Sequence, residues 1–464
     1  MRVLFAALLL GVVGWDFVFA TTFLGDDYLF LAFASHQANP LAAFVRDLHG
    51  GEYFRPVPML VWWLLGRLGH GAEWPFAVSA FLLHAGAALL VVRLALHLGV
   101  ARATAWLAGA LFLIAPTQRE AALWFSANTD LLATVAVLGS LVCLLSGMRV
   151  ASAGLALVAY LCKETALVLP LLAALVLRTR APERPRVWLG RLLPHAVLAL
   201  LYLGWRTLVL HGLGGTNDLL APWWARGLQI GAGLLHVLSG PEPIPEILAL
   251  LLGLTLLSGA VGFAGRQPLG RMALLWVLLA VVPLPAAGWV VGARYFYLPA
   301  VGLVLLLALA IQTRGPAAVA VLFVLWAGLG LAASESRADQ IGRYRATLSA
   351  ARQAVATQAA AGTRVFLVRG AVKDLDLALK LTGRISPDVL VIPDVPASFV
   401  WIPEDLATSA SFLLARPPLP PDGAYRFGGA RIVGLARREE APDLDDVLAR
   451  LPGLRIIDVR PRGR

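Results

Sequence analysis

The sequence is poor in charge and nearly free of cysteine. Of its 464 residues only 14% are charged, whereas 59% are hydrophobic, and the mean hydropathy is +0.76. A soluble domain of this length cannot bury so much apolar surface. The two cysteines, Cys143 and Cys162, both lie inside apolar runs, so neither a disulfide scaffold nor a thiolate metal cluster is indicated. These shortages predict an integral membrane protein.

Repeats and nucleic-acid signals are missing as well. No internal repeat recurs at a fixed period, which weakens the case for a repeat-built transporter. The net charge of +11 comes from arginines scattered through short loops between apolar runs, where the positive-inside rule already accounts for them. We therefore expect no nucleic-acid partner.

What the sequence does contain is a series of apolar runs of spanning or near-spanning length. They fall at residues 3–23, 75–98, 103–116, 129–147, 151–177, 187–210, 246–264, 271–287, 294–312 and 316–334. The run 151–177 is predicted to form two short helices, because Lys163 and Glu164 interrupt it and would be costly in mid-bilayer. The expected fold class is an all-α polytopic membrane protein with about eleven transmembrane helices.

Charge also sets the expected topology and domains. Loops rich in arginine favour the cytoplasmic side, and in the one consistent threading the amino terminus is cytoplasmic. The loops 24–74, 117–129 and 211–245 then face outward. Residues 1–334 are expected to form the transmembrane domain, and the charge-rich residues 335–464 a separate extracytoplasmic part.

Residues 335–464 are predicted to form a small soluble α/β domain. Two apolar stretches at 364–368 and 388–392 resemble buried strands, and a helical pattern at 375–381 separates them. No Gly-rich phosphate loop, metal-ligand spacing or nucleophile elbow occurs there. We therefore interpret it as an accessory domain.

Polar residues gather in the loops expected to face outward. Directly after the first span come Asp26, Asp27 and Tyr28, and a carboxylate there is well placed to accept a proton from a hydroxyl. The alternative is that an aspartate caps a helix beginning at Tyr28, which this segment alone favours.

Further along the same loop Arg55 suits a phosphate, because its guanidinium presents two donors at once. An ordinary interfacial anchor explains Arg55 equally well.

The second outer loop combines acidic and aromatic residues. Glu120 and Trp124 are four residues apart and share a helical face, so an acid and an aromatic platform for a sugar could line one pocket. A solvated loop is the alternative interpretation. A divalent cation is possible because Asp26, Glu120 and Asp130 could converge, but no spacing demands one.

Two cations complete the candidate set. Lys163 is the only lysine before residue 373 and stands beside Glu164. Either these neighbours form an ion pair that caps the hairpin, or the cation lines the site of an anionic substrate. Arg294 begins a span on the outer side, where positive charge is disfavoured. It could bind a phosphate while Tyr295 donates a hydrogen bond.

Five short patterns, in this order, resemble the multi-spanning glycosyltransferases of the C superfamily, which use lipid-phosphate sugars. The patterns are Asp26-Asp27-Tyr28, Phe54-Arg55-Pro56, Arg119-Glu120-Ala121 with Trp124 and Asp130, Lys163-Glu164 with Pro170, and Arg294-Tyr295 with Leu298-Pro299. The resemblance covers residues 1–335 and extends to protein O-mannosyltransferases and lipid A aminoarabinose transferases. It is strongest to the transmembrane O-mannosyltransferases that carry tetratricopeptide repeats, although no such repeats follow here.

The resemblance implies an inverting transfer of a sugar from a polyprenyl-phosphate carrier to an extracytoplasmic hydroxyl of a protein, glycolipid or polysaccharide. By position, it assigns the residues as follows: Asp26 as the catalytic carboxylate, Asp27 as the second choice and Glu120 as the second acidic position; Arg55, Lys163, Arg294 and Tyr295 to the carrier phosphate; and Tyr28, Trp124 and Asp130 to the sugar or acceptor.

The sequence thus predicts a hexosyltransferase of the bacterial inner membrane. Its partners would be a polyprenyl-phosphate sugar, membrane lipid and an acceptor that the sequence does not name. No cofactor is required, and a divalent cation is left open. A secondary transporter or lipid flippase with an outward-facing site is the competing hypothesis, which broken helices in paired halves would favour.

Overall fold

The computed structural model describes residues 21–46, 53–115, 118–180, 185–212, 262, 266–284, 293–369, 375–381, 386, 388–393, 397–402, 425–427, 430–436 and 454–459. The predicted spans at 3–23 and 246–264 and the predicted loop 211–245 lie almost entirely outside these residues.

The chain divides into two compact units. The first unit comprises Met1–Thr21, Phe54–Pro58 and Phe76–Ala338, and the second comprises Thr22–Tyr53, Met59–Pro75 and Asp339–Arg464, each as far as it is described. The carboxyl-terminal residues therefore share a unit with residues from the predicted first outer loop.

Helices make up most of the described chain. In order they are α1 (Asp27–His36), α2 (Pro56–Gly69), α3 (Trp74–His97), α4 (Arg102–Leu113), α5 (Gln118–Leu123), α6 (Asn128–Leu145), α7 (Arg149–Cys162), α8 (Leu169–Arg180), α9 (Pro185–Leu210), α10 (Pro268–Val281), α11 (Pro299–Gln312), α12 (Pro316–Ala360) and α13 (Leu375–Leu381). Single 3-10 turns occur at Pro40–Phe44, Phe125–Ala127, Glu164–Val168 and Ala293–Phe296.

Several of these helices have the length and apolar composition of membrane-spanning helices. Within the described ranges, four are long and apolar enough to cross a membrane: Trp74–His97, Phe125–Leu145, Leu189–Leu210 and Ala317–Ala360. Shorter apolar helices run over Arg102–Leu113, Arg149–Cys162, Pro268–Val281 and Pro299–Gln312. Large apolar side chains on them remain uncovered, such as Leu82 at 61% and Leu208 at 76% exposure, as expected where the solvent is hydrocarbon. The protein is a multi-pass membrane protein; the total of about eleven spans stays a prediction.

The predicted interruption of the run 151–177 is confirmed. Helix α7 ends at Cys162, the 3-10 turn Glu164–Val168 follows, and α8 begins at Leu169. Lys163 between them has extended backbone, with φ −163° and ψ 145°. Pro170 suits the first turn of α8, where its missing N–H is not needed.

Close contact between α10 and α11 positions the start of α11, directly after the turn Ala293–Phe296. A Cβ on Gly302 would lie 2.6 Å from the backbone oxygen of Ala273 and 2.8 Å from the Trp276 ring. Only glycine permits this approach. The Trp276 Nε1 donates a hydrogen bond to the Leu298 carbonyl oxygen at 3.0 Å, which ties α10 to the residues that follow the turn Ala293–Phe296.

The buried His84 contacts Tyr297, the residue that follows the turn Ala293–Phe296. The Nε2 of His84 lies 2.9 Å from the Leu113 carbonyl oxygen, and its Nδ1 lies 2.7 Å from the Tyr297 hydroxyl. Because a carbonyl oxygen can only accept, Nε2 carries the proton and Nδ1 accepts from Tyr297. The backbone three residues after Arg294 is thereby fixed to α3.

In the second unit, the carboxyl-terminal residues form two small sheets. Strand β1 (Val365–Arg369) pairs in parallel with β2 (Leu390–Pro393) and with β6 (Leu454–Asp458). The antiparallel sheet places β5 (Ala430–Ala436) between β3 (Ala397–Ile402) and β4 (Tyr425–Phe427). The strands expected near 364–368 and 388–392 and the helix expected at 375–381 are all present.

Helix α13 packs against α1 and β2 within this unit. Its Asp376 accepts a hydrogen bond from the Val391 N–H at 2.9 Å and pairs with Lys380 at 2.9 Å, with both side chains fully buried. A fully buried ion pair is tolerated only when both members are satisfied. The pair joins the helix to the parallel sheet.

Candidate active site

One carboxylate in the first unit binds two arginines. Glu164 begins the 3-10 turn at the helix break, and its Oε2 accepts from Arg55 Nη2 at 2.9 Å and from Nε at 3.2 Å. Its Oε1 accepts from Arg206 Nη1 at 2.5 Å. Burial opposes the charged carboxylate, but the two guanidinium groups outweigh it and lower the pKa of Glu164 to about 2. Glu164 is therefore a stable anion that holds both arginines in place.

The neighbouring lysine forms a separate ion pair. Lys163 Nζ lies 2.6 Å from both carboxylate oxygens of Asp130, and the two side chains are only 3% and 6% exposed. The same ammonium stands over the Tyr295 ring, 4.4 Å from its centroid, a favourable position for a desolvated cation.

A third ion pair joins the second outer loop to the turn before α11. Glu120 Oε1 accepts from Arg294 Nη1 at 2.9 Å, and Oε2 accepts from the Arg294 backbone N–H at 3.0 Å. The guanidinium lies 4.4 Å from the Trp124 ring centroid and 5.0 Å from that of Tyr295. Both oxygens of Glu120 are thus engaged in holding Arg294.

Shared neighbours join these pairs into one group, which we call the ion-pair cluster. Its members are Arg55, Glu164, Arg206, Lys163, Asp130, Tyr295, Arg294, Glu120 and Trp124. Lys163 and Arg294 meet at the Tyr295 ring, and Lys163 is bonded to Glu164 along the chain. Among the described residues, four cations face three carboxylates in the cluster, so this part of the chain contributes one excess positive charge there.

The predicted carboxylates after the first span belong to the second unit. Gly25 has φ +54°, so the turn needs glycine, and α1 follows at once. Asp26 takes the cap position, but its side chain makes no capping hydrogen bond. The fully buried Asp27 accepts instead from the Leu24 N–H at 2.9 Å. Tyr28 is buried beside Phe23.

Glu73 fastens this turn inside the second unit. Its Oε1 accepts from the Thr22 hydroxyl at 2.6 Å and from the Phe23 N–H at 3.2 Å. Its Oε2 lies 3.6 Å from Arg345 on α12. The segment that leads into Asp26 is therefore held by side-chain contacts as well as by its own helix.

The structure brings together seven of the residues that the sequence singled out: Arg55, Glu120, Trp124, Asp130, Lys163, Arg294 and Tyr295. The alternative in which Lys163 pairs with its neighbour Glu164 is wrong, because the extended backbone at Lys163 separates the two side chains. Arg206 was missed. An arginine inside the apolar run 187–210 was the available signal, since such a charge is costly without a partner.

Metal binding finds no support among the residues that the structure describes. Within those ranges, no three His, Cys, Asp or Glu side chains gather so that they could hold an ion. Both oxygens of Asp130 face Lys163, and both oxygens of Glu120 face Arg294.

The fold of this chain is similar to that of a solved structure over most of its length. The solved structure that carries this finding is ArnT from Cupriavidus metallidurans bound to undecaprenyl phosphate. It is 16% identical, covers 93% of this chain and 97% of that chain, and aligns with a TM-score of 0.53. The apo state of the same ArnT aligns at 17% identity with a TM-score of 0.48. No protein-family profile and no curated protein matches the sequence.

Proposed function

We propose that this chain is a glycosyltransferase of the bacterial inner membrane that moves a sugar from a polyprenyl-phosphate carrier to a hydroxyl group outside the cytoplasm. The observation that carries the proposal is the ion-pair cluster with its excess positive charge, set among apolar helices. Charges inside a membrane protein are costly and mark the sites of charged substrates.

The charge of the cluster suits the proposed donor. A sugar joined to a lipid through phosphate is a phosphodiester with a single negative charge, which would balance the one excess cation. Arg55 and Arg206 share Glu164, so neither has a carboxylate to itself. A guanidinium carries five N–H donors in a planar fork, which matches the oxygens of a phosphate.

Fold likeness supports the same donor. The ArnT structure that shares this fold binds undecaprenyl phosphate, a lipid whose long apolar tail requires the kind of uncovered apolar helix surface described above. An apolar tail and a phosphate head explain apolar helices and a cationic cluster together. A flippase would need the same head-group contacts but no carboxylate to accept a proton.

In the proposed reaction the acceptor oxygen attacks the anomeric carbon of the sugar. The bond from that carbon to the phosphate oxygen breaks, and its electrons remain on the phosphate, which gains negative charge. Arg55, Arg206, Lys163 and Arg294 would stabilise that charge as it develops. The hydroxyl proton passes to a carboxylate, and a single displacement inverts the configuration.

Asp26 is our choice for that carboxylate. It is the position that the sequence resemblance assigns to the catalytic carboxylate, and it is partly exposed, whereas Asp27 is fully buried and accepts from a backbone N–H. Glu120 and Asp130 use both oxygens to bind cations, so we assign them to positioning Arg294 and Lys163. General-base catalysis of this kind contributes about 100- to 10,000-fold.

The experiment uses the full-length protein in liposomes with radiolabelled undecaprenyl-phosphate hexoses. We expect the wild type to release label from the carrier, and Asp26→Asn to bind undecaprenyl phosphate without releasing label. Arg206→Ala should weaken binding of undecaprenyl phosphate about tenfold or more, because a charged hydrogen bond is lost. Arg102→Ala, an exposed arginine at the start of α4, is the matched control. Failure of the wild type to bind undecaprenyl phosphate would contradict the proposal.

A further inference from the structure

Two buried amides, each two residues along the chain from a carboxylate of the ion-pair cluster, have no hydrogen-bond partner among the described residues. Both polar atoms of Gln118 and both of Asn128 are buried and unpaired within the described part of the chain. The two side chains are 1% and 0% exposed. An unpaired buried polar group costs about 1–3 kcal/mol. Four such atoms therefore destabilise the fold, and a functional role is one explanation for their presence.

Both amides lie on elements that carry the cluster. Gln118 begins α5, two residues before Glu120, and α5 packs against the turn Ala293–Phe296 that bears Arg294. Asn128 begins α6, two residues before Asp130, and α6 packs against the turn that begins with Glu164. Each amide therefore stands within one turn of a residue that positions a proposed phosphate-binding cation.

The chemistry of an amide selects among the parts of the proposed donor. A carboxamide both donates and accepts hydrogen bonds. A sugar hydroxyl does the same, whereas a phosphate accepts only and a prenyl tail does neither. Neutral amides on the helices that carry the cluster's carboxylates therefore match the sugar rather than the phosphate. The predicted aromatic platform is less suited to this role, because the Arg294 guanidinium already occupies one face of Trp124.

We infer that Gln118 and Asn128 bind the hydroxyl groups of the carrier-linked sugar and so determine which sugar is accepted. The inference rests on the proposed function and adds the part of the donor that the cations do not recognise. A donor whose hydroxyls reach both amides relieves their unpaired state, and one with the wrong arrangement leaves them buried and unsatisfied.

The test compares carriers with and without sugar. Binding to the full-length protein in detergent is measured for undecaprenyl phosphate and for its glucose, mannose and aminoarabinose derivatives. The variants are Gln118→Met and Asn128→Leu, which keep side-chain size and remove the polar atoms. Thr104→Val is the matched control, because the Thr104 hydroxyl is another buried atom without a partner in the described residues but lies on α4, outside the cluster.

We expect the wild type to bind one sugar-loaded carrier more tightly than the bare carrier. Each amide variant should bind that sugar-loaded carrier about tenfold more weakly than the wild type does. Its affinity for bare undecaprenyl phosphate should stay within about twofold of wild type. All three variants should melt at or above the wild-type temperature, since each removes an unpaired polar group. Thr104→Val should keep the preference for the loaded carrier.

Two results would overturn the inference while the proposed function stands: a wild type that binds loaded and bare carriers equally, or amide variants that keep the wild-type preference. A wild type that binds no carrier at all removes the proposed function and the inference together. If Asn128→Leu or Gln118→Met fails to fold, Asn128→Ser and Gln118→Asn, which keep polarity and shorten the reach, are expected to show the same selective loss.

Discussion

Replacing Glu164 by glutamine removes the anion that two arginines share. Glutamine keeps the shape of the side chain, but its NH2 group takes the place of one carboxylate oxygen, so that one of the two arginines faces a donor and not an acceptor. Breaking a buried ion pair costs about 3–5 kcal/mol. The Glu164 side chain is 24% exposed, so solvent screens part of this, and we expect a loss of about 2–4 kcal/mol.

The loss should depend on pH in a defined direction. The arginines lower the pKa of Glu164 from 4.5 to about 2. A carboxylate with a lowered pKa contributes stability that is complete above its unfolded value and is lost as pH falls toward its folded value. The difference in stability between wild type and Glu164→Gln should therefore be constant from pH 8 down to about 5 and shrink between about pH 4.5 and 2.

Thermal unfolding in detergent across this pH range measures the effect. The exposed Glu335 provides the control, since Glu335→Gln should leave the melting temperature within about a degree of wild type. Adding undecaprenyl phosphate should stabilise Glu164→Gln more than wild type, because the variant has a larger excess of positive charge. A Glu164→Gln protein that melts like wild type at pH 7 would refute the assignment of Glu164 as the shared anion.

Three further substitutions test the packing around the site and in the second unit. Gly302→Ala should lower stability by about 1–3 kcal/mol through the backbone contact between α10 and α11, whereas Gly204→Ala, with nothing within 4 Å of its Cβ, should be neutral or stabilising. Lys380→Met should cost about 3–5 kcal/mol by leaving Asp376 buried without its cation, and the double variant with Asp376→Asn should recover part of this in chemical denaturation. Tyr297→Phe should cost about 1–2 kcal/mol by removing the donor to the buried imidazole; an unchanged melting temperature would show that this hydrogen bond does not hold the loop.

Local patterns in the sequence were sufficient for some elements of the fold. The helix break at Lys163 and Glu164 was predictable because two charges inside an apolar run are too costly to sit in mid-bilayer, and α7 and α8 do end and begin around them. Strand β1 and helix α13 were predictable because a short continuous apolar run and helical spacing indicate burial on a local scale.

The ion pairs of the candidate active site were not predictable from such local patterns. The sequence indicated Arg55, Lys163 and Arg294 as candidate phosphate-binding cations and left an ion pair between Lys163 and Glu164 open, but it did not indicate Asp130 as the partner of Lys163 and it overlooked Arg206. Lys163 is 33 residues from Asp130, and Arg206 is 42 residues from Glu164. Which carboxylate meets which cation depends on the neighbours that each helix acquires.

The sequence by itself determined that the chain is apolar enough to be inserted in a membrane. It also determined the position of the helix break and the residue types that are available to bind a phosphate. Only the tertiary structure decided that Glu164 binds two arginines, that Glu120 and Asp130 hold cations, and that Gln118 and Asn128 are buried without partners in the described part of the chain. The physical reason is that hydrophobicity and backbone propensity act along the chain, whereas ion pairing and burial depend on contacts between residues that are distant in sequence.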